Sequence, residues 1–382
     1  LPLVTLRRFQ LAGHKVICLV GGATGMIGDP SFKSQERAFL SVEQVRHNTE
    51  GIKKVFARFL DTSPNSQNPA IVVNNVNWFE GISYIDFLRD VGKHFTINHM
   101  MAKESVRSRL EDRENGISYT EFSYMLLQAY DFWYLNKNYG CNLQIGGSDQ
   151  WGNITAGTEL IRRLSFVTQA EANEEVFGLT MPLVLKSDGT KFGKTESGTI
   201  WLDPNKTSPY QLYQFLLQTS DDEVLTYIQY FSFLSNAEIE KLAHSLKTEP
   251  EKRLAQKALA EEVTKLVHGQ EELAKAQSAS SALFGDLKSL DEKTLLQMLE
   301  GAPRLKKKRG EQNVGFLDLI VESGLTNSKG QGRKDIAGGG FYLNNEKIVD
   351  PGLVISEKDL LAGKYLLLRK GKKNYVLVVW EN

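Results

Sequence analysis

Four short apolar runs, set between long amphipathic stretches, constrain this chain more than any other feature. They fall at residues 16–20, 70–73, 141–145 and 179–185, each of strand length. The segments between them carry helical spacing. Residues 42–60 place Val42, Val45, Ile52, Val55, Phe56 and Phe59 on one helical face, residues 84–91 and 102–111 read as helices, and residues 1–10 read as a helix already under way. Strands alternating with helices predict a parallel sheet, hence an α/β catalytic unit of the doubly wound, Rossmann-like kind. The first run leads into Gly21, Gly22, Gly25 and Gly28 and ends at Asp29-Pro30. Strand then glycine-rich turn is how such folds bring backbone N–H groups to a nucleotide. No Gly-Lys-Ser/Thr follows, so this is not a Walker loop, and alone the turn is a weak signal.

The most informative helix spans residues 118–134. Ser118 and Glu121 form a capping-box pattern, and Tyr124, Gln128 and Asp131 follow at i, i+4 and i+7. That spacing puts a phenol, an amide and a carboxylate on one face of an aromatic-rich helix. A pocket for a small amphoteric ligand fits the pattern; so does a set of internal hydrogen bonds to neighbouring elements. The third apolar run contains Gln144 and ends in Gly146-Gly147, with Ser148 or Asp149 placed to cap the next helix. Gln144, Asp149, Gln150 and Asn153 therefore occupy the usual ligand crevice of a parallel sheet. The fourth run feeds residues 186–195, Lys-Ser-Asp-Gly-Thr-Lys-Phe-Gly-Lys-Thr. Ser187, Asp188 and Gly189 supply turn chemistry, and Gly193 keeps the loop pliable. Lys191 and Lys194 are point charges on long stems, suited to following a phosphate, and Thr195 adds a hydroxyl. A solvated basic hairpin is the plainer reading of the same residues.

Past Trp201 the pattern is helix upon helix, with no strand expected until about residue 340. Ser208-Pro209 starts one helix, Ser235 to Glu238 caps another, and residues 249–267 form a long amphipathic one. Residues 303–310 read as a basic linker. Helices are expected at 314–324 and from Ser328, a short hairpin around Asn344-Asn345, and a terminal hairpin over residues 365–380. Total charge is zero, yet residues 303–382 hold fifteen Lys or Arg against nine Asp or Glu. That end is basic and suits a polyanionic partner. Two distant cysteines, Cys18 and Cys141, make neither a disulfide framework nor a zinc knuckle, and the six histidines show no ligand spacing. No apolar run is long enough to span a bilayer, and the first residues do not read as a signal peptide.

Lys191-Phe-Gly-Lys-Thr195 resembles the Lys-Met-Ser-Lys-Ser type loop of class I aminoacyl-tRNA synthetases. With residues 20–30, 121–131 and 144–153, it resembles the tyrosyl members of that family, of bacterial or organellar type, over nearly the whole chain. The last segment resembles a small α+β RNA-binding fold of the S-four type. The resemblance implies a catalytic domain at 1–204, a helical tRNA-binding domain at 205–302, the linker, and the RNA-binding domain at 311–382. It implies tyrosine activation by ATP and transfer to tRNA(Tyr), by a homodimer, in a bacterial cytoplasm or a mitochondrial matrix. ATP would enter as substrate with Mg²⁺, without a protein-bound metal. Tyr124 and Gln128 would bind the amino-acid ammonium with Asp29 as charge partner, Asp131 would accept from the phenol, and Gln150 would lie beside the carboxylate. Asp149 and Gly147 would face the adenosine, and Lys191, Lys194 and Thr195 the departing pyrophosphate.

One departure from the family pattern stands out. Members carry a His-Ile-Gly-His type motif and a first strand just before the stretch matching residues 1–8, and neither is found here. A chain supplied without its natural beginning accounts for this, and so does a synthetase descendant that no longer activates amino acids. The uncapped first helix favours the former, with restored activity expected on adding about forty upstream residues, roughly one βα unit. A non-enzymatic RNA-binding protein on a synthetase scaffold is the alternative function.

Overall fold

The computed structural model describes the chain except residues 30–39, 104–105, 108–109, 111–115, 169–174, 191, 196–197, 283–286, 300–301, 309–313, 372–373 and 382. Side chains at 166–168, 194–195, 198, 282 and 289 are likewise outside the described set. Two compact units result, Leu1–Gly198 and Thr199–Asn382.

In the first unit the apolar runs become β1 (Ile17–Val20), β2 (Ile71–Asn74), β3 (Leu143–Gly147) and β4 (Phe177–Met181). β4 begins and ends earlier than its apolar run predicts, because Pro182 has no N–H to continue a ladder. β1 pairs with β2 in parallel, Ile17 opposite Ile71 and Val20 opposite Asn74. β3 pairs with β4 in parallel, Leu143 opposite Phe177. Among the described residues these are two separate pairs, and one edge each of β1 and β3 is left without a strand.

The helices follow their spacing. Pro2–Leu11 is pinned by Gln10, whose amide donates to the carbonyls of Asp61 and Asn68. Val42–Phe59 is capped by Ser41, and Tyr119–Tyr139 by Ser118, which accepts from Glu121 N–H. The expected helix over residues 102–111 lies partly outside the described residues. Tyr119–Tyr139 packs tightly on Trp151–Thr168 around fully buried Phe132, Ile154 and Leu160. Gly157 permits the close crossing: a Cβ there would stand 2.9 Å from the Phe132 ring.

The second unit begins with helices Pro209–Leu217, Asp221–Phe231, Asn236–Thr248, Leu254–His268, Gln270–Ala282 and Glu292–Met298. The capping boxes at Ser208 and Ser235 are both complete. A five-stranded sheet follows, in the order β7 (Arg304–Lys308), β11 (Asn374–Glu381), β10 (Tyr365–Lys370), β8 (Phe341–Leu343), β9 (Glu346–Lys347); β5 (Lys194–Thr195) and β6 (Gly198–Thr199), at the boundary of the units, are a separate small pair. Helices Phe316–Glu322 and Lys329–Ala337 complete the fold, and its core is Phe316, Leu319, Ile320, Ile336, Phe341, Leu366, Leu368 and Val378. Asn344 and Asn345 take the positive φ values, 48° and 70°, that a two-residue hairpin turn requires.

The basic run corrects the sequence reading. Arg304–Lys308 is no linker but a strand, parallel to β11, with Leu305 packed on the core. An edge strand keeps its lysines because charge there discourages further pairing. Lys307 reaches Glu322 at 2.6 Å and Lys306 reaches Glu381 at 2.7 Å.

Candidate active site

The ligand face of Tyr119–Tyr139 opens into a cleft of about 760 Å³ between the free edges of β1 and β3. Tyr124, Gln128 and Asp131 all line it, with Cys18, Leu19, Gly21, Thr24 and Gln144 around them. Helical spacing therefore selected three residues that do share one cavity. Gln128 Nε2 donates to Gln144 Oε1 at 3.4 Å, which orients the amide without consuming its carbonyl.

Asp131 lines the cleft and is only 2% exposed. Trp78 Nε1 donates to its Oδ1 at 2.8 Å and Asn75 Nδ2 to its Oδ2 at 3.1 Å. Trp78 is itself held by stacking on Tyr134, ring centroids 4.4 Å apart. Burial pushes the Asp131 carboxyl up to about 7, against the two donors, which favour the anion. Each oxygen keeps a lone pair for a further donor. A carboxyl held in this way can recognise a hydroxyl at the end of an apolar slot.

A second recess adjoins the cleft and shares Gly21, Thr24 and Tyr124 with it. The glycine-rich turn forms it: a single helical turn, Thr24–Ile27, ends at Gly28 with φ 87° and presents Asp29. Gln150 Nε2 donates to Asp29 Oδ2 at 2.8 Å, joining residues far apart in sequence. Asp29 in the recess and Asp131 in the cleft give the two adjoining cavities one carboxyl group each, with apolar side chains between. That arrangement matches a zwitterion with a polar side-chain tip.

Asp149 stands in the turn Ser148–Gln150 directly after β3, with Oδ2 3.5 Å from Gln150 Nε2, and lines neither cavity. Gly147 ends β3, where a Cβ would clash with the Asp149 carboxylate. Of the lysine loop, Lys191 lies outside the described residues, and Lys194 and Thr195 are described only as backbone of β5.

Three comparisons bear on this site. Residues 1–285 match the family described as tRNA synthetases class I (W and Y), and residues 294–378 match the tyrosine–tRNA ligase SYY-like C-terminal domain. A tyrosine–tRNA ligase of Bacillus caldotenax is 54% identical over 377 residues, 98% of this chain and 87% of that protein. The chain belongs to the tyrosine–tRNA ligases of class I. The Roseiflexus castenholzii ligase is 51% identical over 382 residues, 99% of this chain and 88% of its own. Among solved structures, the C-terminally truncated Aspergillus nidulans mitochondrial tyrosyl-tRNA synthetase is 32% identical with a TM-score of 0.64, covering 74% of this chain and 80% of that one. Relationship at this level over this length does not favour a non-enzymatic RNA-binding protein.

Sequence reasoning missed Trp78, Thr24 and the roles of Asn74 and Asn75. Two consecutive amides at the C-terminal end of a parallel strand were the available signal, since ligands of such sheets bind there.

Proposed function

We propose that this tyrosine–tRNA ligase activates L-tyrosine with ATP and passes the tyrosyl group to tRNA(Tyr). Buried, doubly hydrogen-bonded Asp131, in one cleft with Tyr124 and Gln128, carries the reading. In it the substrate phenol donates to Asp131, the ammonium lies among Tyr124, Gln128 and Asp29, and the carboxylate lies by Gln150. The carboxylate oxygen attacks the α-phosphorus of ATP, the bond to the β-phosphate oxygen breaks, and pyrophosphate leaves. No side chain need act as nucleophile or base, so catalysis is positioning plus charge stabilisation. Lys191, Lys194 and Thr195 meet the charge that builds on the leaving group; Asp149 and Gly147 face the adenosine. Mg²⁺ would come with the phosphates of ATP. Among the described residues no group of three or more His, Cys, Asp or Glu could hold a metal, and no step is routed through one.

A terminal ribose hydroxyl oxygen of the tRNA then attacks the carbonyl carbon of the tyrosyl-adenylate, the carboxyl–phosphate anhydride bond breaks, and AMP leaves as the hydroxyl proton passes to solvent. The basic C-terminal sheet supports an RNA-binding role for residues 311–382 together with β7, after a catalytic domain to about 204 and a helical domain to about 302. An apolar surface supports the homodimer: Tyr84, Ile85, Ile97 and Tyr119 are each more than half exposed, and the Tyr84 and Tyr119 hydroxyls are 3.0 Å apart. Ile85→Asp should shift the sedimenting species from dimer to monomer. Among the described residues no helix is long and apolar enough to cross a membrane, and the bacterial relatives favour a bacterial cytoplasm. Tyrosine-dependent ATP–pyrophosphate exchange tests the whole reading; exchange that ignores tyrosine would end it.

A further inference from the structure

The end of β2 joins the two ends of the cavity. Asn75 is fully buried. Its Oδ1 accepts from Ala23 N–H at 2.7 Å, and its Nδ2 donates both to Thr24 Oγ1 at 3.0 Å and to Asp131 Oδ2 at 3.1 Å. Both amide hydrogens are thus committed, and the acceptor requirement at Ala23 fixes which way the amide faces. Asn74 Oδ1 accepts from Gly22 N–H at 3.1 Å and from Val76 N–H at 3.1 Å. A Cβ on Gly22 would run into that amide, 2.3 Å from its Oδ1, so only glycine allows this approach. Two adjacent amides therefore grip two adjacent N–H groups of the glycine-rich turn. From there the turn continues through Thr24, whose carbonyl accepts Gly28 N–H at 2.9 Å, to Asp29 and Gln150.

We propose that Asn75, supported by Asn74, is a positioning residue that sets the distance between the phenol-binding and ammonium-binding ends of the tyrosine site. Nothing in the chemistry of activation requires it to touch substrate. The role rests on the tyrosine reading of the cavity and adds to it a coupling between the two ends. Because one amide holds both Asp131 and the turn that leads to Asp29, a ligand fitting one end is already placed for the other. The benefit of the phenol and the benefit of the ammonium should then exceed the sum of each alone.

The test is a ligand cycle on the full natural chain, measuring binding of tyrosine, phenylalanine, 3-(4-hydroxyphenyl)propionate and 3-phenylpropionate. These carry both groups, the ammonium alone, the phenol alone, and neither. The parent should show positive coupling between phenol and ammonium. Asn75→Ala should abolish that coupling and weaken tyrosine roughly tenfold, the size of one lost bond to a charged partner, while KM for ATP stays near the parent value. Asn75→Asp keeps the acceptor for Ala23 but loses the donor to Asp131, so it folds with the turn held yet should also lose coupling. Its carboxyl, set 3.1 Å from Asp131, should also make the pH profile of tyrosine binding differ from the parent's, because two carboxyls that close cannot both ionise. Parent-like coupling in both variants would overturn the role of Asn75 alone. A parent that binds phenylalanine as well as tyrosine would overturn the reading of the cavity beneath it.

Discussion

In the proposed function, the Asp131 end of the cleft and the lysine loop meet opposite demands. Asp131 is buried and held by two side-chain donors, each held in turn by its own neighbours. Residues 187–190 are exposed, and the turn is shaped by its own short-range bonds. Thr190 N–H and Oγ1 both donate to Asp188 Oδ1, at 2.8 and 2.6 Å, Lys186 N–H donates to Thr190 O at 2.8 Å, and Phe192 N–H to Val184 O at 3.1 Å. Gly189 and Gly193 take positive φ, 80° and 83°, which lets the chain reverse twice within five residues. Those Thr190 bonds also hold the Asp188 carboxyl below its usual range. Selection needs a group that cannot move, since a buried acceptor left unpaired is costly. In the proposed reading, stabilising a departing pyrophosphate needs charge that can follow it, and Lys191 and Lys194 would supply that charge.

If that division is right, the two regions respond differently to loss of one side chain. Lys194→Ala should lower the rate of tyrosyl-adenylate formation roughly 100-fold, about 3 kcal/mol of transition-state stabilisation, with tyrosine affinity unchanged. Single-turnover kinetics separate the two quantities. A rate equal to the parent would remove the loop from the chemistry. Asp131→Ala should do the reverse, lowering discrimination between tyrosine and phenylalanine by roughly 10- to 100-fold through unpaired buried groups. Competing tyrosine against phenylalanine in exchange measures it. Should selectivity survive, the Asp131 end of the cleft is not where the phenol is read.

The same contrast explains what the sequence could reveal. The ligand face was legible because Tyr124, Gln128 and Asp131 obey the period of a helix, and a helix brings such residues together whatever surrounds it. Asn75, Trp78 and Thr24 were not, because their role depends on how β2 lies beside the glycine-rich turn, and no periodicity records contacts across 51 to 56 residues. Composition marked the lysine loop as a basic turn, and it says nothing of where the charges point. Composition misled at Arg304–Lys308, where four basic residues around one leucine read as solvated linker. The strand is set instead by its partner: Leu377 N–H donates to Pro303 O, and the apolar β11 aligns the rest.

That strand changes how the C-terminal end should be removed. A cut at residue 311 leaves β7 without its sheet, whereas a cut at 303 takes the sheet whole. Loss of residues 303–382 should leave adenylate formation near normal and raise KM for tRNA on the order of tenfold, with a shallower salt dependence than the parent. Aminoacylation across a salt titration measures this. Normal charging by the shortened chain would make the basic sheet a surface without an RNA role.

The smallest effect concerns pH, and it sharpens the contrast because only the buried acid should show it. Burial raises the Asp131 carboxyl from the unfolded value near 3.9 to about 7. The folded state therefore holds the proton more tightly than the unfolded state. Stability from this group is fully present below about pH 4 and is lost as pH rises towards 7, at no more than about 1.4 kcal/mol per pH unit. Recognition runs the other way, because a carboxylate accepts from a phenol better than a neutral acid does. Tyrosine-over-phenylalanine selectivity should thus rise several-fold between pH 6 and 8, following ionisation of one group of pKa about 7. Asp131→Asn should flatten both profiles, since its amide does not titrate. The Lys194→Ala variant should keep both slopes of the parent while remaining slow at every pH. A selectivity profile that stays sloped in Asp131→Asn would place the titrating group elsewhere in the cleft.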